Sequence, residues 1–107
     1  MKKIVWVAAL LLIASACKTN PFTGQRTLNF YPNSQVFPTA FAQYDEFLGE
    51  NKVVTGTADA KMITNVGQRI AAASERWLTA NGYPGYLKDY KWEYNLVQDE
   101  TVNAWCM

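Results

Sequence analysis

The sequence predicts an α+β fold in which two amphipathic helices are followed by a β-hairpin. Apolar residues recur at three- and four-residue spacings in two segments, Ser34 to Glu50 and Asp59 to about Ala80, as they do on one face of a helix. From Lys91 to Val97 apolar and polar residues alternate instead, which is typical of a half-buried strand. Half of the residues are apolar, so the chain is expected to fold.

The first sixteen residues have the layout of a secretion signal. Lys2 and Lys3 precede the apolar run Ile4 to Ile13, which is too short to span a bilayer as a helix. Small residues follow this run, as a signal peptidase site requires, and lead to Cys17. The stretch Ile-Ala-Ser-Ala-Cys resembles the lipobox of bacterial lipoprotein signals, although Ala14 stands where Leu is more common. We therefore predict a signal peptide over 1–16 and lipid attachment at Cys17.

The part that would remain after cleavage is the size of one small domain. It has 91 residues, with 8 basic against 9 acidic side chains once Lys2 and Lys3 are removed. Such a balance gives no electrostatic reason to expect a nucleic-acid partner. Its first part, 17–33, is rich in turn formers and is predicted to be a membrane tether, and 34–107 to be the domain.

Each predicted helix has a defined apolar face and end signals. In the first, Pro38 is tolerable only in the first turn, which predicts a start near Phe37 and an end near Gly49. In the second, Asp59 is the predicted cap and Asn81-Gly82 the end. Gly67 inside it suggests either close packing against a neighbour or a tolerated defect. The expected apolar faces are Phe37, Ala40, Phe41, Tyr44, Phe47 and Leu48 in the first helix, and Ile63, Val66, Ile70, Ala73 and Trp77 in the second.

The last part of the chain, after a loop at 83–90, predicts two strands. Lys91 to Val97 and Thr101 to Met107 could pair as a hairpin around Gln98-Asp99-Glu100. Two strands alone are marginal, and an apolar edge would stay open. We therefore expect the chain to be the N-terminal part of a longer protein.

Catalytic chemistry has few candidates in this sequence. There is no histidine, no nucleophile elbow and no phosphate loop. Cys106, without a partner once Cys17 is acylated, is expected to be a small buried hydrophobe. Asp99-Glu100 reads as a solvated turn. The side chains of Trp77, Trp92 and Trp105 could form a sugar-stacking surface, but their spacing favours a place in the core.

Several segments together resemble the N-terminal part of the HtpX-like and CAAX-prenyl-protease-like zinc metallopeptidases, peptidase family M forty-eight, in its lipoprotein branch. The segments are Cys17 with Asn-Pro-Phe-Thr-Gly-Gln-Arg at 20–26, Val-Gly-Gln-Arg-Ile-Ala at 66–71, Trp-Glu-Tyr-Asn-Leu-Val at 92–97 and Val-Asn-Ala-Trp-Cys-Met at 102–107. They cover nearly all of the predicted mature chain in order. The resemblance implies the incomplete N-terminal portion of a zincin-type metallopeptidase domain, truncated before its zinc-binding helix.

In that family the Asn-Ala-aromatic strand is typically followed by Pro-Gly-Gly and by a helix carrying His-Glu-x-x-His. The two histidines bind zinc, and the glutamate between them is the general base. Neither motif occurs in 1–107, so no metal or catalytic role is carried to any residue here, and we expect these residues to bind no zinc. The resemblance implies that Asn103, Ala104 and Trp105 lie on a strand beside the substrate cleft. An ordinary strand whose asparagine satisfies a turn remains the alternative.

Two classes of function therefore remain open. The first is a membrane-anchored zinc metalloendopeptidase that acts in proteolysis of cell-envelope proteins, with protein or peptide substrates. The second is a complete small non-enzymatic lipoprotein that binds an envelope partner. In either case lipidated Cys17 is the membrane contact, and Lys18 in place of Asp resembles lipoproteins sorted to the outer membrane, facing the periplasm.

Overall fold

The computed structural model describes residues 1–15 and 17–107, without the side chains of 13–15. Ala16, at the predicted cleavage point, lies outside the described residues. The chain forms two compact units, Met1–Pro32 and Asn33–Met107. In chain order the elements are α1 (Lys2–Ser15), β1 (Cys17–Thr19), β2 (Arg26–Leu28), α2 (Asn33–Glu50), β3 (Val53–Val54), α3 (Ala58–Ala80) and β4 (Leu96–Val97).

The first unit contains α1 and an antiparallel hairpin. In the hairpin Cys17 pairs with Leu28 and Thr19 with Arg26. The Asn20 side chain shapes the turn, because its Oδ1 accepts from the backbone N–H groups of Phe22 at 2.9 Å and Thr23 at 3.2 Å. The turn formers in 17–33 thus close a small hairpin, which the tether prediction did not include. Among the described residues, no helix combines the length and apolarity needed to cross a membrane.

Helix α2 begins earlier than predicted. It starts at Asn33, so Pro38 lies inside the helix rather than in its first turn. Pro38 has no N–H to donate to the Ser34 carbonyl, and the helix continues through this lost bond. The predicted apolar face is confirmed, since all six of its residues are shielded from solvent more than their neighbours. At the C-terminus Asn51 donates from Nδ2 to the Phe47 carbonyl at 2.8 Å.

Helix α3 has a well-formed cap at each end. Thr57, not the predicted Asp59, is the N-cap: its Oγ1 accepts from Ala60 N–H at 3.1 Å, and Asp59 lies in the first turn. At the other end Tyr83 N–H donates to the Leu78 carbonyl at 2.8 Å, and Gly82 has φ +90°. This is a Schellman motif, and it confirms the predicted end at Asn81-Gly82.

The packed face of α3 is lined by small side chains, not by the predicted apolar residues. The more buried positions follow three- and four-residue spacings and are Ala60, Thr64, Gly67, Ala71, Ser74 and Leu78. All five predicted face residues are exposed, Ile70 to 58% and Val66 to 47%. The predicted packing face was therefore wrong. A row of small residues lets the neighbouring segment of the chain approach the helix backbone. The apolar stripe that includes Met62, Val66 and Ile70 lies about a quarter-turn away around the helix and stays in contact with water.

The second unit has one small sheet, which joins segments distant in sequence. Val53 of β3 pairs antiparallel with Val97 of β4, and Val54 pairs with Leu96. The predicted hairpin of 91–97 with 101–107 is therefore wrong, since only Leu96–Val97 is a strand and 101–107 contains none. Side chains accept hydrogen bonds from backbone N–H groups in this segment. Asp99 Oδ1 accepts from Thr101 N–H and Asn103 Oδ1 accepts from Ala104 N–H, each at 2.8 Å. Such local bonds compete with strand pairing.

The hydrophobic centre of the second unit is small. Leu78 is 1% exposed and Leu87 8% exposed, and the described residues include no other buried apolar side chain. The loop after α3 is confirmed at 83–90, where a series of turns places Leu87 against the helix end. The α+β class is therefore confirmed, with three helices and two two-stranded antiparallel sheets among the described residues.

Candidate functional site

A cleft of about 280 Å³ in the second unit is the site with the most varied chemistry. One wall is the apolar face of α2, with Ile63 of α3 beside it, and the other is the chain from Glu93 to Trp105. The α2 wall exists because the three- and four-residue spacing of its aromatic residues places them on one side of the helix. The opposite wall is mostly irregular chain, and it offers both polar and aromatic side chains.

The Asn95 amide ties the two walls together. Its Nδ2 donates to Tyr44 Oη of α2 at 2.8 Å and to Glu93 Oε1 at 2.8 Å. Asn95 directly precedes β4, whose pairing with β3 fixes its position. The side-chain position of Glu93 is therefore set by a contact with the same amide that holds Tyr44. The alternation from Lys91 to Val97 predicted only a half-buried strand. No sequence pattern indicated this hydrogen bond between two side chains 51 positions apart.

The three residues for which the family resemblance implied a strand beside a substrate cleft are among the residues that line the cleft described here. Trp105 packs edge-to-face on Phe47 of α2, with ring centroids 5.1 Å apart, and Asn103 and Ala104 contribute to the same wall. They lie in irregular chain, so the predicted strand is absent at these positions. The ring contact between Trp105 and Phe47 joins this segment to α2, and no sheet hydrogen bonds are formed there.

Two carboxylates lie in the cleft wall, and no lysine or arginine is among its lining residues. Glu93 is held through Oε1 by Asn95, and Asp99 through Oδ1 by the Thr101 N–H. Each carboxylate thus keeps its second oxygen available to a ligand. Asp99 belongs to the acidic pair that the sequence predicted to be a solvated turn, and it is exposed.

A second aromatic group lies at the beginning of α2. Tyr90 packs edge-to-face on Phe37 at 4.9 Å between ring centroids and stacks on Trp92 at 6.1 Å. Burial raises the pKa of Tyr90 above its ordinary value, and the neighbouring Tyr86 contributes a smaller increase. Lys91 Nζ lies 5.0 Å from the centroid of the Phe41 ring on the same helix face. This distance is that of a cation–π contact.

The tryptophans and Cys106 are more exposed than predicted. Trp77, Trp92 and Trp105 are 43%, 46% and 52% exposed, so none is a core residue. Trp92 stacks on Tyr90, whereas Trp105 packs edge-to-face on Phe47. Cys106 is a free, exposed thiol and not a buried hydrophobe. Trp105 and Cys106 are both exposed because the segment 101–107 does not join a sheet. Cys17, also free, is half-buried at the start of β1.

The described residues do not fit a zinc ion. The sequence has no histidine, and the described part of the chain holds no group of three or more cysteine, aspartate or glutamate side chains that could bind a metal ion. Carboxylates and carbonyls alone suit harder cations than zinc. No mechanistic step can therefore be assigned to a metal held by these residues.

Comparison with known proteins gives no match. No family model matches the sequence, and no curated protein or solved structure is significantly similar to it.

Proposed function

We propose that this chain forms the N-terminal, non-catalytic part of a lipid-anchored zinc metalloendopeptidase that degrades proteins of the cell envelope. The observation that carries the proposal is the order of the motifs: a lipobox cysteine, Asn-Pro-Phe-Thr-Gly-Gln-Arg at 20–26, the helix motif at 66–71 and the segments at 92–97 and 102–107. This order resembles that of the lipoprotein branch of the M forty-eight metallopeptidases. The zincin-type domain belongs to the same proposal.

The cleft supports this proposal because of the segment that lines it. The Asn103-Ala104-Trp105 segment lines it, and the resemblance assigns that segment to the rim of a substrate cleft. An extended peptide could lie along an exposed, irregular chain that still has unpaired backbone groups. In this proposal the segment positions substrate, and none of its residues is catalytic.

The exposed apolar surfaces agree with a part of a larger domain. The α3 stripe includes Met62, Val66 and Ile70, each about half exposed. Apolar surface of this kind usually marks a contact with other protein. In the proposed protein, further sheet and a zinc-binding helix would cover such surface and would supply the zinc ligands and the general base.

The proposed location is the periplasmic face of the outer membrane. Acyl chains on Cys17 would provide the anchor, because stable attachment needs more than one lipid chain or a second membrane signal. The apolar α1 would act as the h-region of the signal peptide and be removed.

Sequencing the reading frame beyond Met107 tests the proposal directly. We expect Pro-Gly-Gly and then His-Glu-x-x-His, and we expect the extended protein to bind one zinc ion and cleave an unfolded protein. Substitution of the glutamate in that motif should abolish cleavage and preserve zinc binding, because it acts as the base and not as a ligand. A frame that continues without the motif would contradict the proposal and favour a small lipoprotein that binds an envelope partner.

A further inference from the structure

We propose that the 280 Å³ cleft is a cation-selective pocket, which takes the lysine or arginine side chain of a bound peptide. That the ligand is a peptide rests on the proposed function. The charge selectivity does not, because it follows from the side chains that line the cleft.

Aromatic side chains from both walls line the cleft. Tyr44 and Phe47 come from α2, and Tyr94 and Trp105 come from the opposite wall. The faces of such rings attract ammonium and guanidinium groups, by about 0.5–1 kcal/mol when exposed and more when the cation is desolvated. The aliphatic stem of a lysine or arginine would contact the apolar part of the same walls.

The two carboxylates supply the complementary charge. Glu93 and Asp99 each use one oxygen in a hydrogen bond within the chain, and the lining contains no basic side chain to neutralise them. An incoming cation would therefore find an aromatic surface together with two available carboxylate oxygens. A carboxylate side chain of a peptide would instead be repelled. The pocket should therefore prefer positively charged side chains to negatively charged ones.

The chain contains an internal example of the same interaction. Lys91 Nζ lies over the Phe41 ring at 5.0 Å, on the face of α2 that also carries Tyr44 one turn later. This aromatic surface thus already holds one ammonium group. The cleft offers the same surface one turn further along, with carboxylates added and no lysine of its own.

The cleft is large enough to take a lysine or arginine side chain. Its volume of about 280 Å³ lies just below the range of roughly 300–1,000 Å³ that is usual for ligand pockets. A larger ligand would have to extend out of the cleft along the chain from Thr101 to Trp105, which is the direction proposed for an extended peptide.

Binding of short peptides to the full chain in detergent, measured by isothermal titration calorimetry at low salt, tests the inference. The probes are three peptides that differ only at the central residue, which is lysine, glutamine or glutamate. We expect the lysine peptide to bind on the order of ten-fold more tightly than the glutamine peptide, and the glutamate peptide to bind most weakly. Equal binding of all three would overturn the inference.

Charge-neutral variants locate the effect. Glu93→Gln and Asp99→Asn keep the shape and an acceptor oxygen, and each should reduce the preference for lysine several-fold. Glu75→Gln and Asp45→Asn are the matched controls outside the cleft lining, and they should leave the preference unchanged. Loss of the preference in the controls, or its retention in both cleft variants, would overturn the assignment.

A final comparison separates a peptide side chain from a free organic cation. Tetramethylammonium has the charge without the peptide, and we expect it to compete only weakly. Competition as strong as that of the lysine peptide would overturn the peptide assignment in favour of a small-molecule site. Because none of these measurements depends on cleavage, a failed binding test and a failed peptidase test can be told apart.

Discussion

Gly67, in the middle of α3, lies directly against the aromatic ring of Tyr94. A Cβ atom at this position would lie 2.8 Å from Tyr94 Cγ and closer still to the ring edge. Of the two explanations that the sequence left open, close packing is therefore the right one. The lost helix propensity, about 1 kcal/mol relative to alanine, is the cost of bringing the segment at 94–97 onto the helix backbone.

Substitution of Gly67 should therefore destabilise the fold. We expect Gly67→Ala to lower the free energy of unfolding by about 1–3 kcal/mol, as overpacked sites do, despite the better helix propensity of alanine. Urea unfolding followed by circular dichroism measures the change. Gly49→Ala in α2 is the matched control, because a Cβ there meets no atom within 4 Å, and it should be neutral or stabilising. Equal effects at the two glycines would contradict the packing explanation.

The N-terminal cap of α3 gives a second prediction. Thr57→Ala removes the acceptor for the Ala60 N–H and should cost about 1 kcal/mol of unfolding free energy. Asp59→Ala should cost only a few tenths to about 1 kcal/mol, since Asp59 interacts with the helix dipole from the first turn. The same unfolding experiment compares the two variants. A larger loss of unfolding free energy in Asp59→Ala than in Thr57→Ala would indicate that Asp59, and not Thr57, is the cap.

The helices could be predicted from sequence, and their contacts only in part. Periodicity gave the apolar face of α2 correctly because that face meets the rest of the unit. In α3 the spacing of apolar residues predicted Val66 and Ile70 as packing residues, whereas the chain packs against the small residues around Gly67. Periodicity reports where apolar side chains lie on a helix. It carries no information on which face the neighbouring chain contacts.

The sheet and the cleft were beyond sequence reasoning for a different reason. β3 has only two residues, and its partner Leu96–Val97 lies more than forty residues further along the chain. Alternation from Lys91 to Val97 favoured a local hairpin, but the Gly67 contact and the Asn95 bridge hold this segment against the helices instead. Asn103, Ala104 and Trp105 line this cleft, but the strand predicted for them is absent, and their place beside a substrate stays a prediction.

The exposed stripe of α3 should bind hydrophobic dyes. We expect Val66→Gln with Ile70→Gln to reduce dye fluorescence and self-association, with a change in unfolding free energy within about 0.5 kcal/mol per site, as is usual for surface positions. Leu78→Ala is the contrasting variant. Since Leu78 is 1% exposed, it should cost about 2–5 kcal/mol. A large stability loss in the double variant would show that the stripe is packed in solution.

Tyr90 should make stability pH-dependent in alkaline solution. Burial and Tyr86 raise the pKa of Tyr90 in the folded chain. Between the unfolded and the folded pKa the folded chain retains a proton that the unfolded chain has lost, so stability falls as pH rises past about 10. Urea unfolding across this range should show a shallower decline in Tyr90→Phe. An unchanged decline would contradict the raised pKa.

Lipid attachment can be tested by replacing the sulfur atom of Cys17. We expect Cys17→Ser to abolish incorporation of labelled fatty acid and to release the protein from the membrane fraction, because its thiol is the proposed acylation site. Cys106→Ser is the matched control, since Cys106 is also a free thiol, and it should be labelled normally. Labelling of the Cys17→Ser protein would contradict the lipoprotein assignment.

The hairpin that begins at Cys17 changes how much length the segment after the proposed lipid attachment site can supply. Because Leu28 pairs with Cys17 itself, the chain returns after the turn to within about 5 Å of Cys17, the spacing of neighbouring strands. The same residues in extended form would reach about 40 Å at roughly 3.3 Å per residue. A two-stranded hairpin is only marginally stable in water. The segment therefore stores contour length, which a modest pulling force or a cut in the Asn20–Gln25 turn would release.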